Sequence, residues 1–330
     1  MIKTQQPKVP SWWIALIALP VFADALVEWG GDQSLSFSLR NFDASPALIT
    51  FLLSINYVFN FLIVPWVSWL SDNVWTRVGR RLPFVLGAWA GLVICFILVP
   101  MAPNLAFLAF LTIAVQFFID FGVTGVFTAL FYEVVPAKQR AKASAMRTIM
   151  QRSGLLFFNA VLLRQWDVVY TFELPAWLGG EQLSLDGEYV TYWFMSALML
   201  VMIIYLFLLV KEVEPEVRPV KVSYSLKTHF REMFGRKQWL LVYGLVFCQI
   251  AMMQGMGSLE GLMVTEQFGF SKKDLGGLNT ISFLLQLAIA APLGGYLADR
   301  FDRLRVFQVC SVLAVLKPMT FWLYVKFFAE

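Results

Sequence analysis

Stretches of about twenty apolar residues recur along this chain, and few patterns leave a polypeptide so little choice. A helix needs about 20 residues at ~1.5 Å each to cross ~30 Å of hydrocarbon, and there the backbone must satisfy its own hydrogen bonds. Nine such stretches can be drawn, at about 11–29, 47–70, 83–102, 104–132, 144–165, 190–210, 238–264, 275–298 and 304–327. Long helices of a soluble protein carry a polar stripe, and most of these carry none. Composition agrees: 59% of the residues are hydrophobic and 15% charged, with a mean hydropathy of +0.68. A soluble domain carries about 25% charged residues. The sequence therefore predicts an all-α, polytopic helical membrane protein.

The first stretch follows Lys3 and Lys8, as a secretory signal would, but it carries Asp24 and Glu28 and no small-residue cleavage pattern follows it. It reads as a spanning helix. Cys95, Cys248 and Cys310 fall inside apolar stretches without paired spacing, and His229 is the single histidine. The cysteines read as small core residues. These residues give no basis for a metal site, a cofactor or an enzyme nucleophile.

Most of the 26 lysines and arginines fall in alternate connections. They occupy the N-terminal tail, the 2–3, 4–5 and 8–9 connections, and above all the polar connection 211–237. The intervening segment 166–189 is instead acidic, with Asp167, Glu173, Glu181, Asp186 and Glu188. Positive charge gathers on the cytoplasmic side, which predicts a cytoplasmic N-terminus in a cell membrane. The basic clusters are short and one-sided, so nucleic acid is not an expected partner and the lipid bilayer is. Residues 211–237 divide the chain into a six-helix part, 1–210, and a three-helix part, 238–330. The middle of that connection, 223–236, reads equally as a surface amphipathic helix or a solvated linker.

One device occurs twice. "SDNVWTRVGRRLPF" at 71–84 follows the second apolar stretch, and "GGYLADRFDRLR" at 294–305 follows the eighth. Each places an acid where the helix ends and arginines just beyond. A carboxylate there can accept bonds from a neighbouring arginine and from the open N–H groups of an adjoining helix N-terminus. A positive-inside anchor needs arginines but no acid, so Asp72 and Asp299 point to a gate. Gly295-x-x-x-Asp299-Arg300-x-Asp302-Arg303 resembles the loop signature of the major facilitator superfamily. The longer first copy, Asp72…Arg77-x-Gly79-Arg80-Arg81-x-Pro83-Phe84, resembles the sucrose-transporter and glycoside–pentoside–hexuronide symporter branches. Ser68 stands where that signature usually has glycine, and Asn73 where arginine is usual.

The resemblance implies a fold of twelve helices around a central cavity lined by the first, fourth, seventh and tenth. Nine are legible here, so three further C-terminal helices are expected on a separate or missing segment, and the 330-residue chain alone is expected to be inactive. It also implies gating roles for Asp72, Arg77, Gly79, Arg80, Arg81, Gly295, Asp299, Arg300 and Arg303.

Charges within spans are costly and functional by default. Asp24 and Glu28 lie one turn apart on the first helix, Asp120 near mid-depth on the fourth, Arg147 and Arg152 on the fifth, and Gln249, Gln254 and Glu260 on the seventh. Asp24, Asp120, Arg147, Arg152, Gln249, Gln254 and Glu260 are the candidate substrate- and proton-binding residues. Glu28 reads as interfacial, and Lys317, before Pro318, as a partner for a helix-break carbonyl. "IDFGVTG" around Asp120 resembles the fourth-helix aspartate segment of both sugar-transporter branches. Arg147 matches the fifth-helix arginine of the melibiose-type pattern, whereas depth alone selects Arg152, which enters from the same side and reaches a level where it can pair with Asp120. The melibiose-type pattern also has two carboxylates on the second helix, where this chain has Asn60 and Val64. A sodium site built on anionic oxygens loses its main ligands there. The expected function is thus secondary transport of a sugar or glycoside by alternating access, coupled to protons, with sodium as the alternative ion. Trp29, Tyr57 and Trp66 offer faces for sugar rings but read first as packing or interface residues. An exporter of another polar or amphipathic solute, and a non-transporting sensor or interaction protein, are the competing readings.

Overall fold

The computed structural model describes residues 9–173, 182–210, 212, 257–285 and scattered positions elsewhere from 225 onward. Helix α1 runs Ser11–Asn41, α2 Pro46–Asn73, α3 Leu82–Met101 and α4 Leu105–Val134. Helix α5, Arg140–Phe157, continues through a π turn, Phe158–Leu162, and a tight turn, Leu163–Gln165. Strands β1 (Val169–Glu173) and β2 (Gln182–Asp186) pair antiparallel, with Val169 opposite Asp186, and lead into α6, Gly187–Leu209. Helices α7, Gly257–Glu266, and α8, Lys272–Leu285, follow. Five of these helices, α1–α4 and α6, are long and apolar enough to cross a membrane. The multi-pass reading stands for five of the first six apolar stretches; α5, over the stretch 144–165, is polar and is not among the helices apolar enough to cross.

The chain forms two units, Met1–Val222 with Lys272–Thr280, and Ser223–Ser271 with Ile281–Glu330. In the first, α1 packs along α5, α3 against α6, and the middle of α4 against α2 and α3. With lipid tails as apolar as leucine, such packing is decided by fit between surfaces. Ile14, Ile17 and Ala18 of α1 meet Phe131, Val135 and Ala143 in one buried cluster, and Trp89 of α3 lies fully buried against Phe127. In the second unit, Phe230 and Phe234 stack with centroids 6.1 Å apart. That is the helical i, i+4 pairing, in the stretch where an amphipathic helix and a linker were equal readings.

Helix α1 departs from expectation most. The sequence reading ends it near residue 29, where "GGDQSLSFS" turns polar, yet the helix continues to Asn41 through a π turn at Leu26–Gly30. Two causes are visible. A Cβ at Gly30 or Gly31 would stand 2.6 Å from the Phe158 ring or 2.9 Å from that of Phe96, so these glycines let α3 and α5 approach. Two serines find acceptors: Ser36 donates to the Gln33 carbonyl of its own helix at 2.7 Å, and Ser38 to Glu188 of α6 at 2.5 Å. Polar sequence is thereby absorbed, and Asp32 moves from a presumed loop into a spanning helix.

Candidate functional sites: a charged gate and a buried acid ladder

The first site lies where α2 ends. Asp72 Oδ1 accepts from Arg81 Nη2 at 2.6 Å and Nε at 3.2 Å, with Arg80 Nη1 3.7 Å away. Glu133, at the end of α4, accepts from Arg81 Nη1 at 3.0 Å and also bonds Arg80. Two arginines thus sit between two acids. A third acid, Glu212, reaches in from beyond α6. Its carboxylate accepts the backbone N–H groups of Arg80 at 3.0 Å, Arg81 at 3.0 Å and Leu82 at 2.7 Å. These are open donors at the α3 N-terminus, where negative charge is favoured. Gly79 makes the approach possible: its φ is +136°, and a Cβ there would lie 2.9 Å from the Glu212 carboxylate. The expectation for Asp72 is therefore divided in the structure. Asp72 binds the arginine side chains, and Glu212 takes the N–H groups. Arg77 is exposed.

The second site runs inside the first unit. Asp24, Glu28 and Asp32 follow one another at four-residue intervals on α1. Arg147 is the cation that acts on Asp24 and Glu28, and its Nη2 donates to Thr128 of α4 at 2.9 Å. On α4, Asp120 is 2% exposed and stands second in a π-helical run, Ile119–Phe127. Such π segments gather at functional sites. Asp120 Oδ1 accepts from Asn60 at 3.3 Å and Thr124 at 3.1 Å, while Oδ2 has no partner. Gln116, fully buried one turn earlier, donates to Asp32 at 2.6 Å, and its own Oε1 has no partner.

A third polar group lies toward the opposite end of the helices. Lys272, the first residue of α8, pairs with Asp167 at 2.8 Å and stands over the rings of Phe37 and Trp166, 5.3 and 5.6 Å from their centroids. Nearby, Glu188 of α6 accepts from Ser38 at 2.5 Å and from Asn41 at 3.2 Å.

Residues 10–327 match the family model of the Major Facilitator Superfamily. The chain belongs to the major facilitator superfamily. The anhydromuropeptide permease of Escherichia coli (strain K12) is 25% identical over 199 residues, which is 60% of this chain and 37% of the permease. Among solved structures, a bacterial homolog of the human lysosomal transporter Spinster, inward-facing and unoccupied, superposes with a TM-score of 0.66 at 15% identity. That match covers 90% of this chain and 64% of the homolog; the occupied form gives 0.58 at 17% identity, covering 88% and 61%. The chain thus spans just over a third of the permease and under two thirds of the solved homolog.

Within this superfamily member, the structure brings Asp24 near Arg147, and Asp120 beside Asn60. It does not bring Arg152 to Asp120. Arg152 is half-buried on α5, and Asp120 takes neutral donors from α2 and its own helix in place of a guanidinium. Asn60, which replaces a carboxylate of the melibiose-type pattern, is itself one of those donors. Glu260 lies on α7 in the second unit. Gln249, Gln254, Gly295, Asp299, Arg300 and Arg303 lie outside the described residues, as does Lys317. Sequence reasoning missed Asp32, Gln116, Glu133 and Glu212. Glu133 and Glu212 meet the arginines across 53 and 132 residues of chain, a separation no local motif reveals.

Proposed function

We propose that this chain forms the substrate- and ion-binding part of a secondary transporter that moves a sugar or glycoside by alternating access, coupled to protons. The observation that carries this reading is the ladder of acids and amides across α1, α2 and α4. It offers many hydrogen-bond acceptors, four carboxylates and one arginine to a polar solute and its coupling ion. Acids without matching cations inside a bilayer-spanning bundle are expensive, and such groups are kept where ions or polar solutes pass. The similarity to an anhydromuropeptide permease adds muropeptides to the solute classes worth testing. The Asp72–Arg80–Arg81–Glu133–Glu212 cluster serves as the gate: charge pairs that hold the ends of α2, α3 and α4 together in one state and part in the other.

The test is uptake of labelled sugars, glycosides and muropeptides into proteoliposomes holding the whole transporter of which this chain forms a part, with and without an imposed pH gradient and with sodium exchanged for potassium. Accumulation that requires the pH gradient supports the reading. Uptake driven only by sodium moves the coupling ion, and no uptake of any of the three solute classes overturns the solute assignment.

A further inference from the structure

Beyond Asp120, the interior holds a second acid in a setting that asks for a proton. Asp32 is partly buried on α1, and its Oδ1 accepts from the Gln116 amide at 2.6 Å. Gln116 is 0% exposed and aims its amide into this corner, yet its Oε1 finds no donor. Asp120 Oδ2, one helical turn away along α4, and Asn56 Oδ1, on α2 one turn before Asn60, are likewise buried without partners. Three orphan oxygens thus lie on the two helices that meet Asp32, and every one of them is an acceptor. An unpaired buried acceptor costs about 1–3 kcal/mol, so the occupant of this corner is a hydrogen-bond donor or a cation.

The charges say which. Arg147 acts on Asp24 and Glu28, whereas the titratable groups acting on or near Asp32 are Glu28 of its own helix, Asp120 of α4 and the Tyr57 phenol of α2. Glu28 also acts on Asp120, whose other partners are the neutral Thr124 and Asn60. The ladder therefore splits into a lower pair that has a cation and an upper pair that has none. A hydrogen ion, which needs one oxygen to bind and a second to share it, fits what remains.

We propose that Asp32 is a second proton-binding carboxylate and that it works as a pair with Asp120, with Gln116 holding the two in register. This rests on the proton-coupled reading above and adds to it a second acid and a bridging amide. Each acid takes a proton from water to form an O–H, which then donates to an orphan oxygen, and returns it to water when the site opens. The Asp120 charge acts on Asp32, so in this proposal the two titrate as a pair and removing either changes the pH at which the other loads.

The experiment reads protons directly, without transport. The 330-residue chain in lipid nanodiscs is titrated while the infrared C=O band of protonated carboxyl groups is recorded, in sodium and in potassium buffers. Asp32→Asn should remove part of the band and displace the midpoint of the remaining Asp120 component by about one pH unit or more. Gln116→Leu keeps both acids and should bring their midpoints together toward independent titration; Asp32→Glu should restore a two-component profile. Because these two variants retain both acids, they decide the matter even where Asp32→Asn fails to fold. An Asp120 midpoint unmoved in both Asp32→Asn and Gln116→Leu overturns the pairing, and a band that follows sodium and not pH replaces the proton with a cation. Transport without proton dependence would remove the proposed function yet leave this titration standing, so the two failures are told apart.

Discussion

The gate and the ladder hold similar residues and treat them in opposite ways. At the gate, Asp72, Glu133 and Glu212 meet two guanidinium groups and three backbone N–H groups, so every acid has its donors. In the ladder, Arg147 acts on Asp24 and Glu28, no cation among the described residues is matched to Asp32 or Asp120, and acceptor oxygens are left over. The gate lies at the ends of α2 and α4, where Asp72 is 47% exposed and water can take over if a pair breaks. The ladder has its deepest members, Asp24, Gln116 and Asp120, among buried side chains. Matched charge near solvent costs little to separate, whereas unmatched charge in the interior is expensive to keep.

The comparison breaks most sharply at Asp120. Asp120→Asn keeps the shape and removes the titrating charge, so proton-driven accumulation in proteoliposomes should fall to the level seen without a gradient while solute exchange persists. Thermal unfolding should show no loss of stability, because a buried unpaired acid contributes none. Accumulation like that of the wild type would take Asp120 out of the mechanism and leave Asp24 and Asp32 to carry it. Arg81→Leu does the reverse. Its side chain is 11% exposed and serves both acids, so stability should drop by about 1–3 kcal/mol in a detergent unfolding series. Glu212→Gln should cost about 1 kcal/mol, the size of a helix N-cap with part of its dipole term, and hydrogen exchange should quicken at Arg80–Leu82 alone. Asp72→Asn is the gentlest: about 0.5 kcal/mol of stability, with a shift in the balance of open and closed states read by distances between labels at the ends of α2 and α4. An unchanged distance distribution would strip the cluster of its gating role.

Much of the first unit was legible because span length and charge cost are local properties. The ends of α2, α3, α4 and α6 fall within three residues of the apolar stretches, and Asp24, Asp120 and Arg147 announce themselves as charges where charge is dear. What stayed hidden was either neutral or distant. Gln116 and Asn60 carry no charge, so nothing in the sequence separates them from other polar residues in spans until their amides are seen on Asp32 and Asp120. Asp32 sat in a stretch whose glycines and serines argue for a loop, and only tertiary packing on Phe96 and Phe158 makes it helix. The β1–β2 hairpin did leave a signal, the alternation in "VYTFE" and "QLSLD", which the acidic reading of 166–189 passed over.

Glu212 also bears on how the chain is made. The donors it satisfies belong to Arg80, Arg81 and Leu82, yet 130 residues separate it from Leu82. At ribosomal speeds of about 5–20 residues per second, α3 exists for roughly 7–26 s before its cap is synthesised. During that interval the α2–α3 turn is held by Thr76, Gly79 and the Asp72–Arg81 pair, and then by Glu133 once α4 is made. Arrival of Glu212 then locks the turn from the far side of α6, so the connection after the sixth helix acts as the closing stitch of the first bundle's biogenesis.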